Sequence, residues 1–92
     1  MSEQELLTLI EKAIRDVANN PTLAVKAESR LIDDLNLESI DLLDISSELE
    51  NGIGQELDFR EVAEYSAKKS NTTANMKSIK VSDMIDYIQS HA

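Results

Sequence analysis

Apolar residues recur at helical intervals in four separate places along this 92-residue chain, and each run opens or closes on a capping signal. Leu6, Leu7, Ile10, Ala13, Ile14 and Val17 mark one face of a first helix. Ser2-Glu3-Gln4-Glu5 reads as its capping box, and Asn19-Asn20 before Pro21 as its stop, which predicts a helix over 3–19. A second helix is predicted over 39–51. Leu42, Ile45, Leu49 and Ile53 fall on one side of it, Ser39 suits its N-cap or first turn, and Asn51-Gly52 suits its end. A third is predicted over 59–69, with Asp58 as cap, Glu61 at N3, and Phe59, Val62, Ala63 and Ala67 on one face. Lys68 and Lys69 there suit the negative end of the helix dipole. A last helix follows Val81, with Ser82 as cap and Met84, Ile85 and Ile88 as its apolar face, ending near Gln89 or Ser90. Between the last two, 74–78 has room for one more short turn.

The 22–38 connection is long for a bundle but not empty. It carries Leu23, Val25, Leu31, Ile32, Leu35 and Leu37, so it is expected to lie across the helices and close one side of the core, with a short helical turn near 33–36. Together these readings give an all-α four-helix bundle with a long first loop, in one domain over 1–92.

Charge narrows the partners. Residues 1–58 hold 14 acidic and 4 basic side chains, whereas 59–92 are nearly balanced. An acidic surface repels phosphate backbones, so nucleic acid is not an expected ligand; it favours partners with basic patches. No apolar run approaches a membrane span. The polar N-terminus does not read as a secretory signal, and the expectation is a soluble, cytoplasmic monomer. There is no cysteine, hence no disulfide and no thiolate metal site, and any thiol chemistry has to come from an attached group.

Few residues offer chemistry of their own. Asp34, Asn36 and Glu38 alternate like the start of a calcium loop. Ser39 then stands where that loop needs glycine and Ile45 where it needs glutamate, so no metal site is expected. The single histidine, His91, is next to last and reads as a frayed end rather than a general base. With no nucleophile–base pair and no phosphate loop, the chain is not expected to be an enzyme.

Asp41, Asp44 and Glu48 fall together on the second helix, with Ile40 near them and Leu43 off the core centre. Like charges at such spacing cost about 0.2–0.5 kcal/mol per pair, so stability does not explain them. An acidic stripe is usually a solvated face. Here it follows directly on a helix-start serine, which favours a docking surface. Ser39 itself reads either as a plain N-cap or as a modified hydroxyl, since free N–H groups and the dipole at a helix start favour an attached anion.

The stretch Leu31-Ile32-Asp33-Asp34-Leu35-Asn36-Leu37-Glu38-Ser39-Ile40-Asp41-Leu42-Leu43-Asp44-Ile45 resembles the modification site of the acyl carrier protein family, and Val81-Ser82-Asp83-Met84-Ile85-Asp86-Tyr87-Ile88 is similar to that family's last helix. The likeness covers most of 1–57 and 76–90. It departs from the family pattern at Glu38 (usually aspartate), Ile40 (usually leucine), Asn36 (usually glycine) and Ser47 (often apolar), and the region around 58–72 is longer by roughly a dozen residues, which implies an enlarged third-helix region and a specialised carrier. Asparagine tolerates the left-handed conformation a glycine would supply.

The resemblance implies that Ser39 carries 4′-phosphopantetheine, supplied from coenzyme A by a phosphopantetheinyl transferase, and that acyl intermediates ride on it as thioesters to the enzymes of fatty acid, polyketide or related synthesis. It implies docking of basic partner patches on Glu38, Ile40, Asp41, Leu43, Asp44 and Glu48, and an acyl pocket lined by Leu42, Ile45, Ile85 and Ile88. The competing expectation is an unmodified acidic helical adaptor that uses the same surface.

Overall fold

A computed structural model describes residues 2–91. Four helices form: α1 (Glu3–Ala18), α2 (Ser39–Ile53), α3 (Phe59–Ser70) and α4 (Val81–Ser90), with a 3-10 turn at Met76–Ser78. They meet in a ring, α1 against α2, α2 against α3, α3 against α4 and α4 against α1, so the chain is an all-α four-helix bundle. Among the described residues no helix is long and apolar enough to cross a membrane.

Each helix begins where a side chain can occupy an orphan N–H. For α1 the capping box is complete: Glu5 N–H donates to Ser2 Oγ (3.1 Å) and Ser2 N–H to Glu5 Oε1 (3.3 Å). It ends at Ala18, one residue short of the predicted 3–19, and closes at the expected stop, on Asn19 in the left-handed conformation (φ 54°). For α3, Asp58 Oδ1 accepts from Arg60 N–H at 2.8 Å, and Asn71 (φ 55°) closes the helix after Ser70.

At two helix limits a residue other than the expected one sets the boundary. Gly52 does not stop α2; the helix runs on to Ile53, which packs against the core, and Gly54 (φ 68°) makes the left-handed closure. Ser82 is not the cap of α4. The helix starts at Val81, and Asp83 Oδ2 accepts the Lys80 N–H at 3.0 Å. The next two N–H groups are taken by the long loop, Val81 N–H to Ser29 O (3.0 Å) and Ser82 N–H to Ala27 O (2.8 Å). A start satisfied by backbone 52 and 55 residues away leaves no local cap to read.

The 22–38 loop does close the core. Val25, Leu31, Leu35 and Leu37 are buried beside Ile10, Ile14, Leu42, Ile45, Met84 and Ile85. A turn forms over 31–35, slightly earlier than predicted, and Asn36 takes the left-handed conformation (φ 56°) that its type permits. Arg15 Nε ties the loop to α1 by donating to Leu23 O at 2.9 Å.

The α3 helix is joined to α4 by side chains. Glu61, at N3 of α3, does not serve the helix start; its carboxylate accepts the Tyr87 O–H at 2.6 Å. This bond, with burial behind it, pushes the Tyr87 phenol up to about 12 from its ordinary value of 10.0. His91 is not a loose end: its ring stacks on Tyr87 (centroids 4.1 Å, 24° between planes) and its Nδ1 lies 2.8 Å from Tyr87 O. Because the protonated phenol is favoured in the fold, the stability it lends is fully present below pH 10 and is lost as pH rises through 12. In Glu61→Gln the Tyr87 titration, followed by NMR of its ring, is expected to fall back toward the ordinary phenol value; an unmoved midpoint would show that Glu61 is not the cause.

Candidate functional site

The loop delivers Ser39 to the first residue of α2. Leu35 and Leu37 are anchored in the core, and Leu37 N–H donates to Leu31 O at 3.2 Å, which fixes the backbone just ahead of the helix. The N-cap residue is Glu38, not Ser39. Asp41, three residues on, accepts the Glu38 N–H at 2.9 Å. Ser39 is exposed, and among the described residues its hydroxyl makes no hydrogen bond. The helix is therefore started by its neighbours, and the serine hydroxyl is left free for other chemistry.

Beside it the chain presents apolar surface to water. Ile40 and Leu43 are 64% and 67% exposed, and no other large hydrophobic among the described residues is so open. Glu38 and Asp44 flank them, both exposed. Exposing two aliphatic side chains forgoes burial worth about 1.5–3 kcal/mol each, a cost that folding alone gives no reason to bear.

The other two expected docking acids are placed differently. Asp41 is half-buried and committed to the helix start. Glu48 is half-buried against Asp16 of α1. Burial, and then a shared hydrogen bond with Asp16, raise the Glu48 carboxyl above its ordinary range; Asp16 is held low, first by its bond to Lys12 (3.0 Å) and then by Glu48. Of the six docking candidates, Glu38, Ile40, Leu43 and Asp44 share one open patch around Ser39, and Glu48 belongs to the α1–α2 seam.

A groove of about 820 Å³ opens at Ser39 and runs between α2 and the start of α3. Ile40 and Leu43 form its rim, Leu42 and Ser46 lie along the α2 side, and Leu57, Phe59 and Met76 supply the apolar far wall. Ser46 is buried, with its hydroxyl donating to Leu43 O at 3.2 Å. Of the four residues expected to line an acyl pocket, Leu42 lines this groove; Ile45, Ile85 and Ile88 are closed in the core at 0%, 2% and 4% exposure. Ser46, Leu57, Phe59 and Met76 were not among the expected lining. The available signal was the apolar pair Leu57 and Phe59 straddling the Asp58 cap, of which Leu57 precedes the third helix and Phe59 opens its buried face.

The groove's remaining wall is polar: Glu50, Glu56, Asp58, Arg60 and Glu61. Most of these groups are engaged, Glu50 with the Leu57 N–H (3.2 Å), Asp58 with the α3 start and Arg60 (3.7 Å), Glu61 with Tyr87. Among the described residues no three His, Cys, Asp or Glu side chains are grouped to hold a metal ion. Compared with family models, curated proteins and solved structures, the chain matches none of them.

Proposed function

We propose that this chain is an acyl carrier protein that bears 4′-phosphopantetheine on Ser39. The observation that carries the reading is the combination at one spot of an exposed hydroxyl with no structural duty, two exposed aliphatics, and a groove that begins at that hydroxyl. The residues fit such an arm. Ser39 Oγ would be the attachment point, the start of α2 favours the phosphodiester charge, and the groove behind Ile40 and Leu43 gives an attached chain an apolar place to lie. The arm would supply the thiol that this cysteine-free chain lacks, and acyl groups would be held there as thioesters. No base is bonded to Ser39, so a transferase would have to take its proton.

Delivery calls for docking that is fast and reversible, which charge provides better than area. In this reading Glu38 and Asp44 attract a basic patch while Ile40 and Leu43 fix the register. Asp44→Lys is expected to slow acyl transfer to or from a partner enzyme about tenfold at low salt, with a difference that shrinks as salt is added and an unchanged circular dichroism spectrum. Equal rates for the two proteins at low salt would remove Asp44 from the interface.

The exposed Ile40–Leu43–Asp44 patch also suits an adaptor that binds a basic partner without modification. Intact mass after incubation with coenzyme A, Mg²⁺ and a broad-specificity transferase separates the two: the carrier gains one phosphopantetheine, the adaptor gains nothing.

A further inference from the structure

The backbone sets two cations directly opposite each other. Arg30, in the long loop, and Lys80, just before α4, form an isolated antiparallel bridge. Its hydrogen bonds run from the residues on either side, Val81 N–H to Ser29 O (3.0 Å) and Leu31 N–H to Ile79 O (3.1 Å). Arg30 and Lys80 are thus the directly opposed, non-hydrogen-bonded pair, in which side chains come closest and lie on the same side. Leu31, Ile79 and Val81 are fully buried in the core, so the alternation of the bridge turns Arg30 and Lys80 outward together, and both are exposed. Opposed like charges weaken such a pairing. In a chain with 18 acidic side chains and 9 basic ones, that is a conspicuous use of two cations.

Both line a groove of about 410 Å³ with Lys69 of α3. Its walls mix Ala63 and Ala67 with polar groups that include Thr73, Asn75 and Ser78. The carboxylates nearby are already committed, Asp34 to the Arg30 backbone N–H at 2.8 Å. Asp83, which also lines the groove, accepts the Lys80 backbone N–H at 3.0 Å, and Asp86 pairs with Lys69. Among the described residues no carboxylate pairs with the side chain of Arg30 or Lys80. The Asn75 Oδ1 accepts the Lys77 N–H at 2.9 Å.

We propose that this groove binds a phosphate monoester. A dianionic phosphate has the charge to offset the opposed Arg30 and Lys80 and enough oxygens to use the guanidinium, the Lys80 ammonium and a rim hydroxyl at once; a carboxylate has one charge and two oxygens. The groove is larger than a bare phosphate, leaving room for the group it esterifies. The site is separate from Ser39 and does not depend on the carrier reading.

The test is NMR titration of the full chain with inorganic phosphate and with phenyl phosphate, beside acetate and sodium chloride at matched ionic strength. Saturable shifts are expected in the backbone amides of 70–80 and in the Arg30 side-chain N–H. Affinity is expected to fall about tenfold in Arg30→Gln and in Lys80→Gln, as loss of a charge-assisted bond implies. Both variants are also expected to melt higher than the parent at low salt, which shows that they fold and that the like-charge contact was real. Saturation by both phosphates, or by phenyl phosphate alone, supports the site and says whether the ester group is needed. Shifts that follow ionic strength alone, acetate binding as tightly as phosphate, or phosphate affinity unchanged in both variants would overturn it.

Discussion

Ser39→Ala is expected to abolish phosphopantetheine loading while leaving the fold intact: intact mass shows no gain under conditions that convert the parent fully, and the urea midpoints of the two proteins agree to within about 0.5 kcal/mol of stability. The second half of that expectation comes from the helix start. Had Ser39 been the N-cap, its replacement by alanine would cost about 0.5–2 kcal/mol. The cap position belongs to Glu38, Asp41 occupies the freed N–H, and the Ser39 hydroxyl bonds to nothing among the described residues. Loss of loading with retained stability therefore assigns the hydroxyl to chemistry rather than to architecture. If the variant is loaded as well as the parent, another residue carries the arm; if it is destabilised by more than a kcal/mol or so, the hydroxyl has a structural partner.

The other large effect lies in the loop. Leu31→Ala is expected to cost about 2–5 kcal/mol, as much as truncating a leucine inside a helix, because Leu31 is fully buried and the loop cannot collapse around the vacancy while its ends are held. Its own N–H is fixed to Ile79 O and its carbonyl receives the Leu37 N–H, so both the α4 start and the approach to Ser39 hang on its position. Against a typical domain stability of about 5–15 kcal/mol, such a loss moves the urea midpoint far, whereas Ala24→Gly in the same loop, at an exposed position, should move it little. A Leu31→Ala midpoint within the range of the exposed control would mean that the loop is a mere connector.

The contrast between these sites indicates which parts of the structure local sequence reveals. The four helices are written in three- and four-residue spacing, because burying one face of each is what makes the ring of helices close. The apolar content of 22–38 announced a packed loop for the same reason. What stayed hidden was decided by distant partners. The α4 start is satisfied by Ala27 and Ser29, so Ser82, a good cap by type, was not needed. Glu61 fits a helix-start pattern and instead holds Tyr87, 26 residues on. Of two glycines near the end of α2, only packing of Ile53 decided that Gly54 turns the chain. At the candidate site, the position of Ser39 and the exposure of Ile40 and Leu43 follow from the helical wheel. The groove does not, since its far wall comes from Leu57, Phe59 and Met76 across a turn; nor does the turning of Glu48 toward Asp16.

The aromatic corner has a bearing on how this bundle can be watched as it unfolds. The chain has no tryptophan, and both its tyrosines stand 5.9 Å apart, edge to face, where α3 meets α4. Tyrosine emission and near-ultraviolet dichroism therefore report one seam of the ring, while peptide dichroism in the far ultraviolet reports all four helices. The α1–α2 seam is optically dark to the first pair of probes. If the bundle melts as one cooperative unit, the two kinds of signal share a midpoint; should α1 and α2 loosen first, helical signal is lost while the tyrosine corner still reads as native.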